Sequence, residues 1–295
     1  MVESIAMTNL GNSTTRRTAI KSAASFGILS GATKIGLAAE NQRADGRLNQ
    51  SVCKWCYRDM SLEDLCEHAA KMGIVSVELL TKEQWPTLEK YGLTCAVGNG
   101  ICRIPDGTNR TENHASIEKN ARDLISAAKR AGVPSLILFS GNRRGMSDEE
   151  AWDNSAKILN RIKAQAEDDG VTVMMELLNS KVNHPDYHCD TTPWGVELLK
   201  RVESPRIKLL YDIYHMQIME GDVIRMIRDN IDHIAHFHTG GNPGRHEIDD
   251  TQELNYKAIS KAIADLEFDG YFAHEFIPQR DPMTSLREAV ELCTV

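Results

Sequence analysis

Residues 209–222 read LLYDIYHMQIMEGD, and the way this stretch folds decides the architecture of the chain. Ile207, Leu209 and Leu210 have the character of a buried strand, whereas Glu220 and Asp222 read as the exposed start of a helix. Between them stand Asp212 and, three residues on, His215. A carboxylate is costly to bury unpaired, so one placed where an apolar strand finishes marks a site rather than a core.

Working outward, the same rhythm recurs. Short apolar runs appear at 51–57, 75–80, 93–98, 135–140, 171–177, 207–211, 234–238 and 271–276, with helical periodicity between them. Ser61 and Asp64 form a capping-box pattern ahead of Leu62, Leu65, Cys66, Ala69 and Met72, and Gly73 closes that helix. Ser147 and Glu150 open a longer helix that Gly170 closes. Eight strand–helix units, with no composition break, predict a single (β/α)8 TIM barrel over residues 40–295. A doubly wound open sheet competes, but no glycine-rich phosphate loop follows any of the strands.

Barrel geometry answers the question raised by Asp212. Side chains alternate along a strand, so one parity faces the barrel interior. The inward rows run Thr172, Met174, Glu176; then Lys208, Leu210, Asp212; then Ile234, His236, His238; then Tyr271, Ala273, Glu275. Four consecutive strands thus end inward on a metal-capable side chain, at the face where barrel enzymes keep their active sites. Such a group would be poorly solvated and mutually repulsive without a cation. Three carboxylates and one imidazole suit Mg2+, Mn2+ or Co2+ with positions open to substrate oxygens. His236 lies one layer deeper and reads as a packed barrel histidine. His274 has the parity of a residue facing a helix, and His184, His188 and His233 read as loop or surface residues.

Composition excludes other classes. The net charge of −8 argues against nucleic-acid binding, which calls for a basic stripe, and no apolar run is long enough to span a membrane. Seven cysteines are odd in number and irregularly spaced, so no disulfide framework is expected. Cys53 and Cys56 read as core thiols within a strand.

The first 39 residues are of a different kind. Arg16 and Arg17 stand in TRRTAIK, followed by the small, mildly apolar stretch SAASFGILSGATKIGLAA at 22–39. This resembles a twin-arginine export signal and implies an exported or periplasmic protein, with a cytoplasmic one as the alternative. Lys34 within the apolar stretch and Ala19, where phenylalanine is usual, depart from that pattern.

From 171 onward the residues resemble a family. Glu176-Leu-Leu-Asn179, YDIYHMQIMEGD at 211–222, HFHTGGNPGRHEI at 236–248, ELNYKAI at 253–259 and HEFIP at 274–278 are similar to the hydroxypyruvate isomerase branch of the xylose-isomerase-like barrels. The resemblance covers most of residues 51–293. It implies that Glu176 and Glu275 are both metal ligands and the catalytic pair, that Asp212 and His238 complete the metal site, and that His215, Arg245 and Asn179 touch substrate. The implied reaction interconverts hydroxypyruvate and tartronate semialdehyde through an enediol, with a ketose 3-epimerase or other sugar isomerase as the alternative and a non-catalytic exported sugar binder after that. His238 stands where bacterial hydroxypyruvate isomerases can carry glutamine, and the loop NSKVNHPDYHCDTT at 179–192 departs from the shorter family version. The expected partner is a small hydroxy-keto acid or sugar; the sequence leaves the oligomeric state open, a homo-oligomer included.

Overall fold

The computed structural model describes residues 46–295. The twin-arginine stretch and the apolar segment after it lie outside the described residues. Eight parallel strands form the sheet: β1 Asn49–Cys53, β2 Ser76–Glu78, β3 Val97–Gly98, β4 Ser135–Leu138, β5 Thr172–Glu176, β6 Ile207–Asp212, β7 Ile234–Thr239 and β8 Tyr271–His274. Their order is β2-β1-β8-β7-β6-β5-β4-β3, and isolated bridges from Ser76 to Thr94 and from Leu80 to Gly98 join the two end strands. The expected TIM barrel is what forms.

Helices fill the gaps: α1 Leu62–Lys71, α2 Trp85–Glu89, α3 His114–Ala131, α4 Asp148–Asp169, α5 Thr192–Val202, α6 Ile213–Met219, α7 Val223–Asn230, α8 Tyr256–Asp265 and α9 Pro282–Cys293. The cap signals act as read. Ser61 Oγ accepts from Asp64 N at 3.0 Å, and Ser147 Oγ from Glu150 N at 3.2 Å. Gly170 ends α4 with φ 71°, a left-handed conformation that suits a residue without a Cβ.

Several boundaries differ from the apolar runs, because hydrophobicity reports burial rather than hydrogen-bonding pattern. The run at 93–98 supplies only the two residues of β3, although Leu93 and Cys95 are buried. The run at 51–57 leaves the sheet after Cys53, and Lys54–Cys56 form a 3-10 turn; Cys56 is a buried thiol, but not in a strand. In the opening stretch a helix starts directly after Asp212. Glu220 is half-buried rather than an exposed helix start, its carboxylate accepting from Thr192 N at 2.7 Å and Thr192 Oγ1 at 2.8 Å. His188 is not a surface residue: it is fully buried, with Nε2 3.1 Å from Asp148 Oδ1 and Nδ1 3.1 Å from Asn109 Nδ2. His274 is buried against Gln50 Oε1 at 2.8 Å. Among the described residues, no helix is long and apolar enough to cross a membrane.

Candidate active site

Strands β5 to β8 bring four side chains to one point. Ligand-capable atoms of Glu176, Asp212, His238 and Glu275 all lie within 4.8 Å of one another, and all four residues are buried. The parity is enforced by register: Asp212 pairs with His238, and His238 with Ala273, two residues before Glu275. Asp212 also serves the chain locally, since its Oδ1 accepts from His215 N at 3.1 Å and so caps α6. That cap starts α6 at once, and the His215 ring lies with Nε2 2.5 Å from Arg245 Nη1 in the same site.

The ring of His238 is fixed from behind. Its Nε2 lies 2.9 Å from Glu78 Oε1, and Glu78 Oε2 accepts from Ser51 Oγ at 2.5 Å. An Nε2–H donated to that carboxylate leaves Nδ1 facing the oxygens, protonated when they alone surround it and available as a lone pair to a bound cation. Nδ1 stands 2.7 Å from Glu275 Oε2 and 3.4 Å from Glu176 Oε1, without the alignment of a hydrogen bond to either. A carboxylate holding the far nitrogen of an imidazole, with the near nitrogen aimed at a cluster of oxygens, is the arrangement metal-binding histidines use. The donor set of three hard oxygens and one nitrogen therefore fits a divalent ion.

Arg245, which the resemblance places at the substrate, is buried beside these residues. It is 8% exposed and has φ 59°. Its Nε donates to the Glu275 carbonyl at 3.1 Å, Nη1 lies 2.5 Å from His215 Nε2, and Nη2 donates to Asp212 Oδ2 at 2.6 Å and also to Glu275 Oε2. The rings of Trp55 and Tyr214 flank the guanidinium at 5.6 and 5.1 Å, close enough for cation–π attraction. Asn179 is fully buried. Its Oδ1 accepts from Val182 N and Asn183 N at 3.0 and 2.8 Å, while Nδ2 lies 2.5 Å from His215 Nδ1. Asn179 thus shapes the loop and braces His215, and Asn183 and His184 are the loop residues that line the cavity.

Charge is divided unevenly among these groups. Burial pushes Asp212 up to about 7 despite Arg245 beside it, and burial also raises Glu176. Burial acts on Glu275 in the same direction, but Arg245 and His238 hold it well below the usual carboxylate range. For His238 burial is overcome by Glu275, and its pKa rises well above the ordinary value. His215, buried and beside Arg245, stays neutral. Two carboxylates with pKa values pushed apart are a common acid–base arrangement.

Two residues of this site escaped the sequence reading. Glu78 is the inward end of β2, and the parity rule applied to "SVE" at 76–78 would have found it. Trp55, whose Nε1 donates to Glu275 Oε1 at 2.5 Å, sits in a turn that reads as strand. A cavity of about 470 Å³ opens onto Glu176, Glu275, His215 and Arg245.

Known proteins bear on this geometry. A 2-oxo-tetronate isomerase from Pectobacterium atrosepticum is 26% identical over 246 residues, 76% of this chain and 89% of that one. The hydroxypyruvate isomerase of Escherichia coli is 34% identical over 114 residues, 38% of this chain and 44% of that one. A relative from Danio rerio is matched over 40% of its length, so these last two are spanned over less than half their length. Among solved structures, an AP endonuclease of family 2 from Brucella melitensis superimposes with a TM-score of 0.73 at 22% identity, covering 81% of this chain and 96% of that one. A D-psicose 3-epimerase, solved in the presence of D-fructose, gives 0.67 at 15%, covering 83% and 96%. These two likenesses show the fold. The sequence model described as a xylose isomerase-like TIM barrel matches residues 66–294, and the chain belongs to that family.

Proposed function

We propose that this barrel is a divalent-metal-dependent isomerase that moves a proton between adjacent carbons of a small hydroxy-carbonyl substrate, with hydroxypyruvate and tartronate semialdehyde as the reference pair. The observation that carries the reading is the pair Glu176 and Glu275, both lining one cavity and both converging on His238 Nδ1. Glu176, Asp212, His238 and Glu275 would hold the ion. When bound, it supplies positive charge that acidifies the C–H bond and offsets the negative charge developing on the substrate oxygens.

The side chains do the rest. Glu275, the carboxylate held ionised, takes the proton from the hydroxyl-bearing carbon and returns it to the former carbonyl carbon. Glu176, on the other side of the site, relays hydrogen from the hydroxyl oxygen to the carbonyl oxygen. Trp55 and Arg245 hold Glu275 in position from two directions. A ketose 3-epimerase is the second reading, favoured by one observation: the Arg245 donors already face Asp212, Glu275 and His215, which leaves less for a substrate carboxylate.

The test is turnover of hydroxypyruvate and of a ketose panel by purified protein with added Mn2+, before and after chelation. Chelation should abolish turnover and lower the Tm, and Glu275→Gln should reduce turnover at least ~10²-fold with the fold intact. Unchanged turnover in the chelated protein would remove the metal site, and an active Glu275→Gln would move the base elsewhere.

A further inference from the structure

The cavity has two unlike halves. Glu176, His215, Arg245 and Glu275 stand on the side of β5 to β8, with Leu178, Asn183 and His184 following β5, whereas the opposite wall is hydrocarbon from Leu79, Ile104, Ile137 and Phe139, with Asn99 as a polar member there. The contrast is written into the strands. Ile137 pairs with Met174, one inward step below Glu176, so the row of β4 continues to Phe139 at the height where β5 presents a carboxylate. Leu79 adds a second sign. It follows β2 with φ 58°, a left-handed conformation that disfavours a leucine. Its backbone N–H donates to the Val97 carbonyl at 2.9 Å, and its half-buried side chain faces the cavity.

Size and charge point the same way. A volume of about 470 Å³ falls within the range of roughly 300–1,000 Å³ that encloses drug-sized ligands, and a three-carbon keto acid fills little of it. Among the described residues lining the cavity, Arg245 is the one Lys or Arg side chain, and its donors face Asp212, Glu275 and His215. Sugar hydroxyls packed on the hydrocarbon wall would lose water without finding partners.

We infer that the preferred substrate is a hydroxy-carbonyl compound whose non-reacting end is an uncharged, hydrocarbon-rich chain seated on Leu79, Ile104, Ile137 and Phe139. This rests on the isomerase reading for the reacting end and on the cavity wall for the other.

The experiment uses hydroxymethyl ketones bearing methyl, propyl and pentyl chains. Affinity is measured by calorimetry in the presence of Mn2+, and proton exchange at the hydroxymethyl carbon is followed by NMR in D2O. From methyl to pentyl the affinity should rise about tenfold or more, as expected for burying successive methylenes. Leu79→Asn, which suits the left-handed backbone, and Ile104→Asn, which is half-buried, should each cut that ratio severalfold with unchanged circular dichroism. A flat series, or a rise that survives both variants, overturns the inference, and exchange persisting beside a flat series leaves the isomerase reading standing. A rising series without exchange for any ketone supports the apolar subsite and overturns the isomerase reading instead.

Discussion

Glu78 shows how a single side chain can govern a site it does not line. It accepts from Ser51 and faces the Nε2 atoms of both His236 and His238 at 2.9 Å. Burial alone would raise its pKa, but the two imidazoles bring it down to about 2 from the ordinary 4.5. Because the folded-state value is the lower one, Glu78 contributes stability above about pH 4.5, and that contribution is lost as pH falls toward about 2. Glu78→Gln should therefore flatten the dependence of urea stability on pH across this window. It should also weaken Mn2+ binding by ~10–100-fold in calorimetry, the usual consequence of losing a carboxylate behind a ligating histidine. Unaltered Mn2+ affinity would mean that the β7 backbone alone orients the ring.

At the scale of the element, Asp212 separates two functions that share one residue. It ends β6 and caps α6 through Oδ1, while Oδ2 faces Arg245. Asparagine caps helices about as well as aspartate, and alanine does not. Asp212→Asn should retain most of the stability that Asp212→Ala loses, about 1 kcal/mol for the cap, as measured by thermal melting. Both variants should bind Mn2+ poorly. Equal melting temperatures for the two variants would show that α6 is held by packing of Ile213, Tyr214 and Met216, all buried, rather than by its cap. The strand ends were legible because period two and a shared face are local properties. The extent of β1 and β3 was not, because buried hydrophobic residues just after β1 and just before β3 look like those of the strand itself.

For the whole molecule, the barrel positions its chemistry through connectivity. β5 to β8 are consecutive in sequence and adjacent in space, so four inward ends converge without any long excursion of the chain. Residues 1–39 raise a separate matter. Reading residues 1–39 as a twin-arginine signal predicts that Arg16→Lys with Arg17→Lys will leave the protein in the cytoplasm, checked by fractionating cells that express both versions. Export of the double variant at the wild-type level would make the arginine pair incidental.

The amino-acid sequence by itself determined the eightfold rhythm, the inward parity of Glu176, Asp212, His238 and Glu275, and the helix caps at Ser61 and Ser147. Each depends on neighbours within a few residues, where backbone geometry leaves little choice. Tertiary structure alone decided that Arg245 faces Asp212 and Glu275, that Glu78 stands behind His238, that Trp55 reaches Glu275, and that Asn179 braces a loop instead of opening onto the cavity. The contacts of Arg245, Glu78 and Trp55 join residues 30 to 220 positions apart. Their partners are chosen by how the barrel closes, and local periodicity carries no record of that.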